Sequence, residues 1–296
     1  MSDVMNDAAN TFTVGLVTLR SGLKPKANFD VAAKLIREAK DAGADYILTP
    51  EMTNVMESRR DVLFEALAED DASLDGFRDL ARALKRHLHI GSLAVKVTSE
   101  RIANRSFLID PLGEIIATYD KIHMFDVDLG GGESYRESSS YQPGESGALV
   151  DLPWGKLGMS ICYDLRFPAL YRALAESGAS FLTVPAAFTK ITGEAHWHVL
   201  LRARAIENGS FVFAAAQGGL HENGRETFGH SLIVDPWGAV LAEGGTQPSV
   251  TLAKIDPARV DEARRRIPSL QHGRRFTLGE AHSLHTSHLH LVRSKP

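Results

Sequence analysis

Three residues capable of covalent and proton-transfer chemistry each follow a short apolar run in this chain. Cys162, the single cysteine, comes after Leu157 to Ile161; Glu51 follows Tyr46 to Leu48 through Thr49 and Pro50; Lys121 follows a run that ends at Asp120. A cysteine that attacks a carbonyl carbon needs a base for its proton. A pocket carboxylate with a raised pKa suits that role and then hands the proton to a leaving amine. A lysine ammonium stabilises the oxyanion that forms. Each residue alone has a plainer alternative, since a lone cysteine serves as an inert small hydrophobe and a loop glutamate as a solvated charge. Three reactive types at three strand ends favour one common site, because strand ends on one sheet edge converge.

The elements that must position them are legible from periodicity and turn chemistry. Pro168 sits in the first turn of a helical run, Ala169 to Glu176, which Gly178 closes, so Cys162 stands between a strand end and a helix start whose positive end favours thiolate over thiol. Arg166, four residues after the cysteine and early in that helical region, is suited to hold a substrate carboxylate by a paired charge-assisted contact. Upstream, Thr11 to Leu19 reads as a strand. Asn28 reads as the cap of a helix with the apolar face Val31, Leu35, Ile36 and Ala39, ending at Gly43. Residues 59–87 are helical with a break at 70–75, and 90–97 follow as a strand.

Turns at Asp110 to Gly113, Leu152 to Gly155 and Asp235 to Gly238 each join two apolar runs into a hairpin. Three hairpins among helix-linked strands predict an α/β fold with two mixed sheets and helices outside, a four-layer α-β-β-α sandwich in a single domain. Beyond the cysteine, 180–184 reads as a strand, 185–198 as a loop and 199–208 as a helix stopped by Gly209. Pro257 opens a last helix to Arg266. Residues 128–146, rich in Gly, Ser and Glu, are a functional or poorly ordered loop. The domain spans 11–278, between a polar, disordered stretch at 1–10 and a polar tail at 279–296 that carries His282, His285, His288 and His290.

Composition narrows the function classes. With 33 basic against 37 acidic residues and a formal charge of -4, the chain has no electrostatic footprint for nucleic acid or an anionic membrane. No run approaches the ~20 apolar residues of a membrane span. A single cysteine fits a reducing, cytoplasmic setting. A small-molecule partner is the expectation.

The motifs Pro50-Glu51, Tyr119-Asp120-Lys121-Ile122-His123 and Gly158 to Pro168 resemble those of the nitrilase, or carbon-nitrogen hydrolase, superfamily. Thr192 to Trp197 followed by Leu200 to Glu207 is similar to its Nit branch, which contains deaminated glutathione amidase and omega-amidase. The resemblance implies a nitrilase-like sandwich, a catalytic Glu51, Lys121 and Cys162, no cofactor and no metal, and a homodimer or larger homo-oligomer. It implies a second catalytic glutamate before the nucleophile, at Glu137, with Glu133 as the local competitor. It also implies substrate contacts from Arg166, Phe188 and Thr192, together with Tyr163 of the cysteine motif. The activity implied is hydrolysis of an amide C–N bond in a small carboxylate-bearing substrate through a cysteine thioester. Deaminated glutathione is the first choice of substrate; 2-oxoglutaramate and 2-oxosuccinamate, or another amide, carbamoyl compound or nitrile, are the alternatives.

Three rival readings stand beside it. His123, His196 or His198 could pair with Cys162 in a Cys-His enzyme. The histidines of the tail could bind a metal, although their spacing matches no zinc pattern. The scaffold could serve binding alone.

Overall fold

The computed structural model describes residues 11–68, 73–130 and 133–277. The stretches expected to be a disordered start and a polar tail lie outside these.

In chain order the first half runs β1 (Phe12–Thr18), α1 (Pro25–Asp41), β2 (Tyr46–Leu48), α2 (Arg60–Ala68), α3 (Ser73–Leu84), β3 (His87–Lys96), β4 (Ile102–Ile109), β5 (Ile115–Asp120), β6 (Asp126–Asp128) and β7 (Ser134–Arg136). The second half runs β8 (Ala148–Leu152), β9 (Gly155–Met159), α4 (Pro168–Glu176), β10 (Ala179–Thr183), α5 (Lys190–Asn208), β11 (Phe211–Ala214), β12 (Gly218–Leu220), β13 (Glu226–Phe228), β14 (Leu232–Val234), β15 (Val240–Glu243), β16 (Ser249–Ile255) and α6 (Ala258–Arg266). Two six-stranded mixed sheets result, ordered β16-β1-β2-β3-β4-β5 and β15-β14-β11-β10-β9-β8.

Alternation along the strands explains the layering. Phe12, Val14 and Leu16 of β1, with Tyr46 and Leu48 of β2, pack against Leu157, Phe181 and Phe213 of the second sheet. Val17 and Ile47 point the other way, onto Ala32, Ile36 and Ala39 of α1 and Phe77 of α3. On the far side, Leu174 of α4 and Trp197 and Leu201 of α5 cover the second sheet. The expected α-β-β-α sandwich is therefore what forms. Each buried Leu or Phe contributes about 1.5–3 kcal/mol, and a one-residue slip would turn a whole set to the wrong layer, so the register is strongly specified.

The local readings differ in places. α1 starts at Pro25, not at Asn28, because proline is pre-set for the first helical position. Asn28 lies inside the first turn and ties Gly22 to Asn54, accepting from the Gly22 amide at 2.8 Å and donating to the Asn54 carbonyl at 2.7 Å. Residues 190–198 are helix, not loop. Thr189 caps α5 by accepting from the Thr192 amide, and Gly193, which looks like a breaker, is there because a Cβ would meet Phe228 at 2.2 Å. Within residues 128–146 lie β7, which pairs with β6 as a two-stranded ribbon, and a 3-10 turn at Glu137–Ser139. The β12–β13 ribbon has no counterpart in the sequence reading.

Candidate active site

The three strand ends meet, but from two sheets, not along one edge. β2 and β3 are parallel, and β4 and β5 each reverse direction, so β2 and β5 finish on the same side of the first sheet. β4 begins on that side, which brings Asn104 in beside Glu51 and Lys121. Cys162 follows β9 of the second sheet, facing them across the mouth of the sandwich.

The cysteine stands on a sharp corner. It opens a 3-10 turn, Cys162–Arg166, with a left-handed backbone at φ 51°, and its amide donates to the Pro185 carbonyl at 2.9 Å. Such a conformation costs a non-glycine residue of order 1 kcal/mol or more and persists only where its surroundings enforce it. Here they do so through Asp164, a fully buried carboxylate that accepts from the Ile161 amide at 2.9 Å, the Tyr119 hydroxyl at 2.7 Å and the His123 amide at 3.1 Å. His123 Nδ1 lies 2.7 Å from the same carboxylate, and its ring stacks on Phe167. From α5, Arg204 donates twice to the Leu165 carbonyl, at 3.1 and 2.7 Å.

Lys121 is the hub of the charged cluster. Its Nζ donates to Glu51 Oε1 at 3.0 Å and to both Glu137 oxygens at 2.9 and 2.8 Å, with only 2% of the lysine side chain exposed. Asn104 Nδ2 bridges the two carboxylates at 2.9 and 3.3 Å, and the other oxygen of Glu51 accepts from the Ala187 amide at 2.9 Å. Glu133, the competitor of Glu137, instead accepts the Tyr135 hydroxyl at 2.7 Å.

Charges in this pocket reverse two expectations. Burial pushes the Glu51 carboxyl up, but the Lys121 charge and hydrogen bonds from Cys162 and Lys121 outweigh it, so its pKa is lowered, not raised. Burial and the Glu51 charge hold the Cys162 thiol well above its ordinary value, so the thiolate expected from the adjoining helix start is not the resting form. Burial alone would depress Lys121; the carboxylates of Glu137 and Glu51 and the nearby sulfur raise it well above a free lysine. These directions favour a thiol, a carboxylate and an ammonium in the resting site.

All of these groups open on a cavity of about 330 Å³. Tyr163, Arg166, Phe188 and Thr192 line it too. The Arg166 guanidinium lies 5.4 Å from the Phe188 ring centre and 5.9 Å from that of Tyr163, and both its terminal nitrogens lie 3.3 Å from His196 Nδ1. Among the described residues no histidine lines the cavity. His123 is engaged by Asp164 and His198 by Glu243, at 3.0 Å, so the geometry gives the Cys-His reading no support.

Sequence reasoning missed Asn104, Asp164, Arg204, Gln217 and Arg225. Asn104 had a signal: with Ser106 it is polar on the face of β4 that also carries Leu108. Gln217, whose amide donates to the Glu51 carbonyl at 2.9 Å, and Arg225, which lines the cavity, come from the unread ribbon region and had none.

The family model for carbon-nitrogen hydrolase matches residues 13–265. The deaminated glutathione amidase of Yersinia enterocolitica is 41% identical over 265 residues, covering 88% of this chain and 92% of its own. Among solved structures, the C. elegans NitFhit protein is similar with a TM-score of 0.85 and 36% identity over 90% of this chain, which spans 65% of that longer protein. A glutamate-to-glutamine mutant of the amidase from Nesterenkonia sp. AN1, with the acetamide moiety of fluoroacetamide added covalently at its active-site cysteine, matches with a TM-score of 0.75 and 27% identity, over 90% of this chain and 97% of its own. With the fold, the cysteine corner and the family match agreeing, the chain belongs to the carbon-nitrogen hydrolase family, as an enzyme of its amidase kind.

Proposed function

We propose that Cys162, Glu51, Lys121 and Glu137 carry the hydrolysis of a small amide, with no group beyond the chain's own side chains. Glu51 takes the Cys162 proton as the sulfur attacks the carbonyl carbon, and Lys121 stabilises the oxyanion that develops on the carbonyl oxygen. As the C–N bond breaks, Glu51 gives that proton to the departing nitrogen and leaves a thioester on Cys162. Glu51 then takes a proton from water, whose oxygen attacks the thioester and releases the acid and the thiol. Glu137, bonded to Lys121 Nζ through both oxygens, keeps that ammonium charged and aimed. The observation that carries this reading is the buried Glu51 carboxylate, bonded to Lys121 Nζ at 3.0 Å and to the Ala187 amide at 2.9 Å, on the cavity that Cys162 also lines.

The substrate in this reading bears a carboxylate, held by Arg166 between Phe188 and Tyr163, with Thr192 closing the same wall. Deaminated glutathione is the first choice, supported by the Yersinia relative. Amides of 2-oxo dicarboxylic acids, the omega-amidase substrates, come second. We read the enzyme as cytoplasmic and as a homodimer or larger assembly. Ile191, Val199 and Ile206, exposed on α5, support self-association. Among the described residues no helix is long and apolar enough to cross a membrane.

The test is amine release from deaminated glutathione, 2-oxoglutaramate, N-carbamoyl amino acids and aliphatic nitriles by wild type and Cys162→Ala. Wild type favours the first two and yields an acyl adduct on Cys162 by mass spectrometry. The alanine variant loses at least roughly 10⁴-fold in turnover with its unfolding midpoint unchanged. Full activity in that variant would end the assignment of the nucleophile.

A further inference from the structure

Three arginines line the cavity without a carboxylate ion pair; Arg136 is exposed and spends its guanidinium on the Val127 and Tyr135 carbonyls, which leaves Arg166 and Arg225. Tyr135, Phe125 and Tyr163 form an aromatic row, successive ring centres 5.1 Å apart. Arg166 lies over the Tyr163 end at 5.9 Å, and Arg225 over the Tyr135 end at 5.0 Å. Among the described residues neither makes an ion pair, whereas Lys121 engages Glu51 and Glu137, and Arg59 engages Glu57 at 2.9 Å. Arg225 donates to the Ala187 carbonyl and lies 3.9 Å from Met56 Sδ, while its Nε is buried with no partner. An arginine left this way on a cavity wall is suited to receive an anion.

The two cations lie at opposite ends of the aromatic row. Arg166 shares the 3-10 turn of Cys162, so it belongs with the part of the substrate that becomes the thioester. Arg225 is joined to Glu51 through one residue, since the Ala187 carbonyl accepts from Arg225 and the Ala187 amide donates to Glu51. Its charge is also among those that lower the Glu51 pKa. Glu51 is the group that meets the departing nitrogen.

We infer that Arg225 is a second anion subsite, which recognises a carboxylate on the amine half of the substrate. This rests on the proposed amidase reading and deepens it. The substrate class is a dianion, a 2-oxo dicarboxylic acid amide-linked to one or two amino acids whose free C-terminus reaches Arg225. At about 3.5 Å per extended residue, the diacid, at least one residue long, together with two amino acids spans the two 5.1 Å ring steps. Ammonia as the leaving group leaves the subsite empty.

The experiment compares kcat/KM for 2-oxoglutaramyl-Cys-Gly with that for its C-terminal amide, which removes one charge from the leaving half and nothing from the acyl half. Wild type prefers the acid by roughly tenfold to a hundredfold, expressed mainly in KM. Arg225→Met brings that ratio to within about threefold, and Arg225→Lys restores part of it. Arg166→Met lowers both substrates and preserves the ratio. A wild-type ratio near one, or an Arg225→Met variant that weakens both substrates equally, would overturn the subsite. Ammonia release from 2-oxoglutaramate separates the two levels: if it proceeds while the acid-to-amide ratio is flat, the amidase reading stands and the subsite falls. If neither 2-oxoglutaramate nor the peptide is cleaved, both fall.

Discussion

Two clusters in this molecule combine carboxylates and bases in opposite ratio. Under the cavity one base, Lys121, stands between two acids, Glu51 and Glu137. On the surface one acid, Glu243, stands between two bases, accepting from His230 Nδ1 at 2.7 Å and facing His198 Nε2 at 3.0 Å. The distances are alike, and what differs is water: the Lys121 side chain is 2% exposed, whereas Glu243 and its histidines are 31–39% exposed. In the buried cluster each charge depends on the others, since solvent cannot replace a lost partner. In the exposed one, water and salt can. Hydrogen-bond length alone therefore does not distinguish a site from a surface contact; burial does.

Replacing the hub of the buried cluster separates the two most strongly. Lys121→Met leaves the buried Glu51 and the partly buried Glu137 without their shared cation, and should cost about 3–5 kcal/mol of stability by urea denaturation as well as all measurable turnover. A loss below about 1 kcal/mol would mean that water reaches the cluster after all.

Changing one proton acceptor sharpens the contrast without collapsing it. Glu51→Gln keeps the shape and should slow turnover roughly 10²-fold to 10⁴-fold, while His123→Ala and His196→Ala cost less. A dead histidine variant beside a working Glu51→Gln enzyme would return the Cys-His reading. The pH profile carries the sign. Because the Glu51 pKa is lowered in the fold, the carboxylate persists below the ordinary Glu value of about 4.3, so the acid limb of kcat/KM should fall below that pH. Stability linked to Glu51 is likewise present above its unfolded pKa and lost as pH falls through the folded one. An acid limb near pH 6 would contradict the geometry.

The smallest effect belongs to the surface cluster. Burial raises Glu243 somewhat, but hydrogen bonds from His230 and His198 bring its pKa down on balance. Any stability it lends is therefore present at neutral pH and lost on acidification. Glu243→Gln should change stability by less than about 1 kcal/mol at pH 7, less still in high salt, and leave kcat/KM untouched. A loss as large as that of Lys121→Met would erase the distinction.

Much of the fold was legible in the amino-acid sequence, because its signals are local. Apolar runs ending at Leu48, Asp120 and Ile161, three Asp-Pro or Leu-Pro turns closed by glycine, and a proline at a helix start are short-range signals. Together they predict strands, hairpins, the layered sandwich and the strand end and helix start that flank Cys162. Arg166, four residues from the sulfur, needed only that helix start. The tertiary structure alone decided which partners those residues meet. Glu51 lies 70 residues from Lys121 and 136 from Ala187, whose amide donates to it. The reversed pKa directions of Glu51 and Cys162, the Asn104 bridge, the Asp164 brace and the exposure of Arg225 to the cavity arise only when two sheets face each other. No residue carries its own dielectric environment. Periodicity says which face of a strand is buried, but the sign of a charge's shift depends on which other charge is buried beside it, and that depends on the register of the whole sandwich.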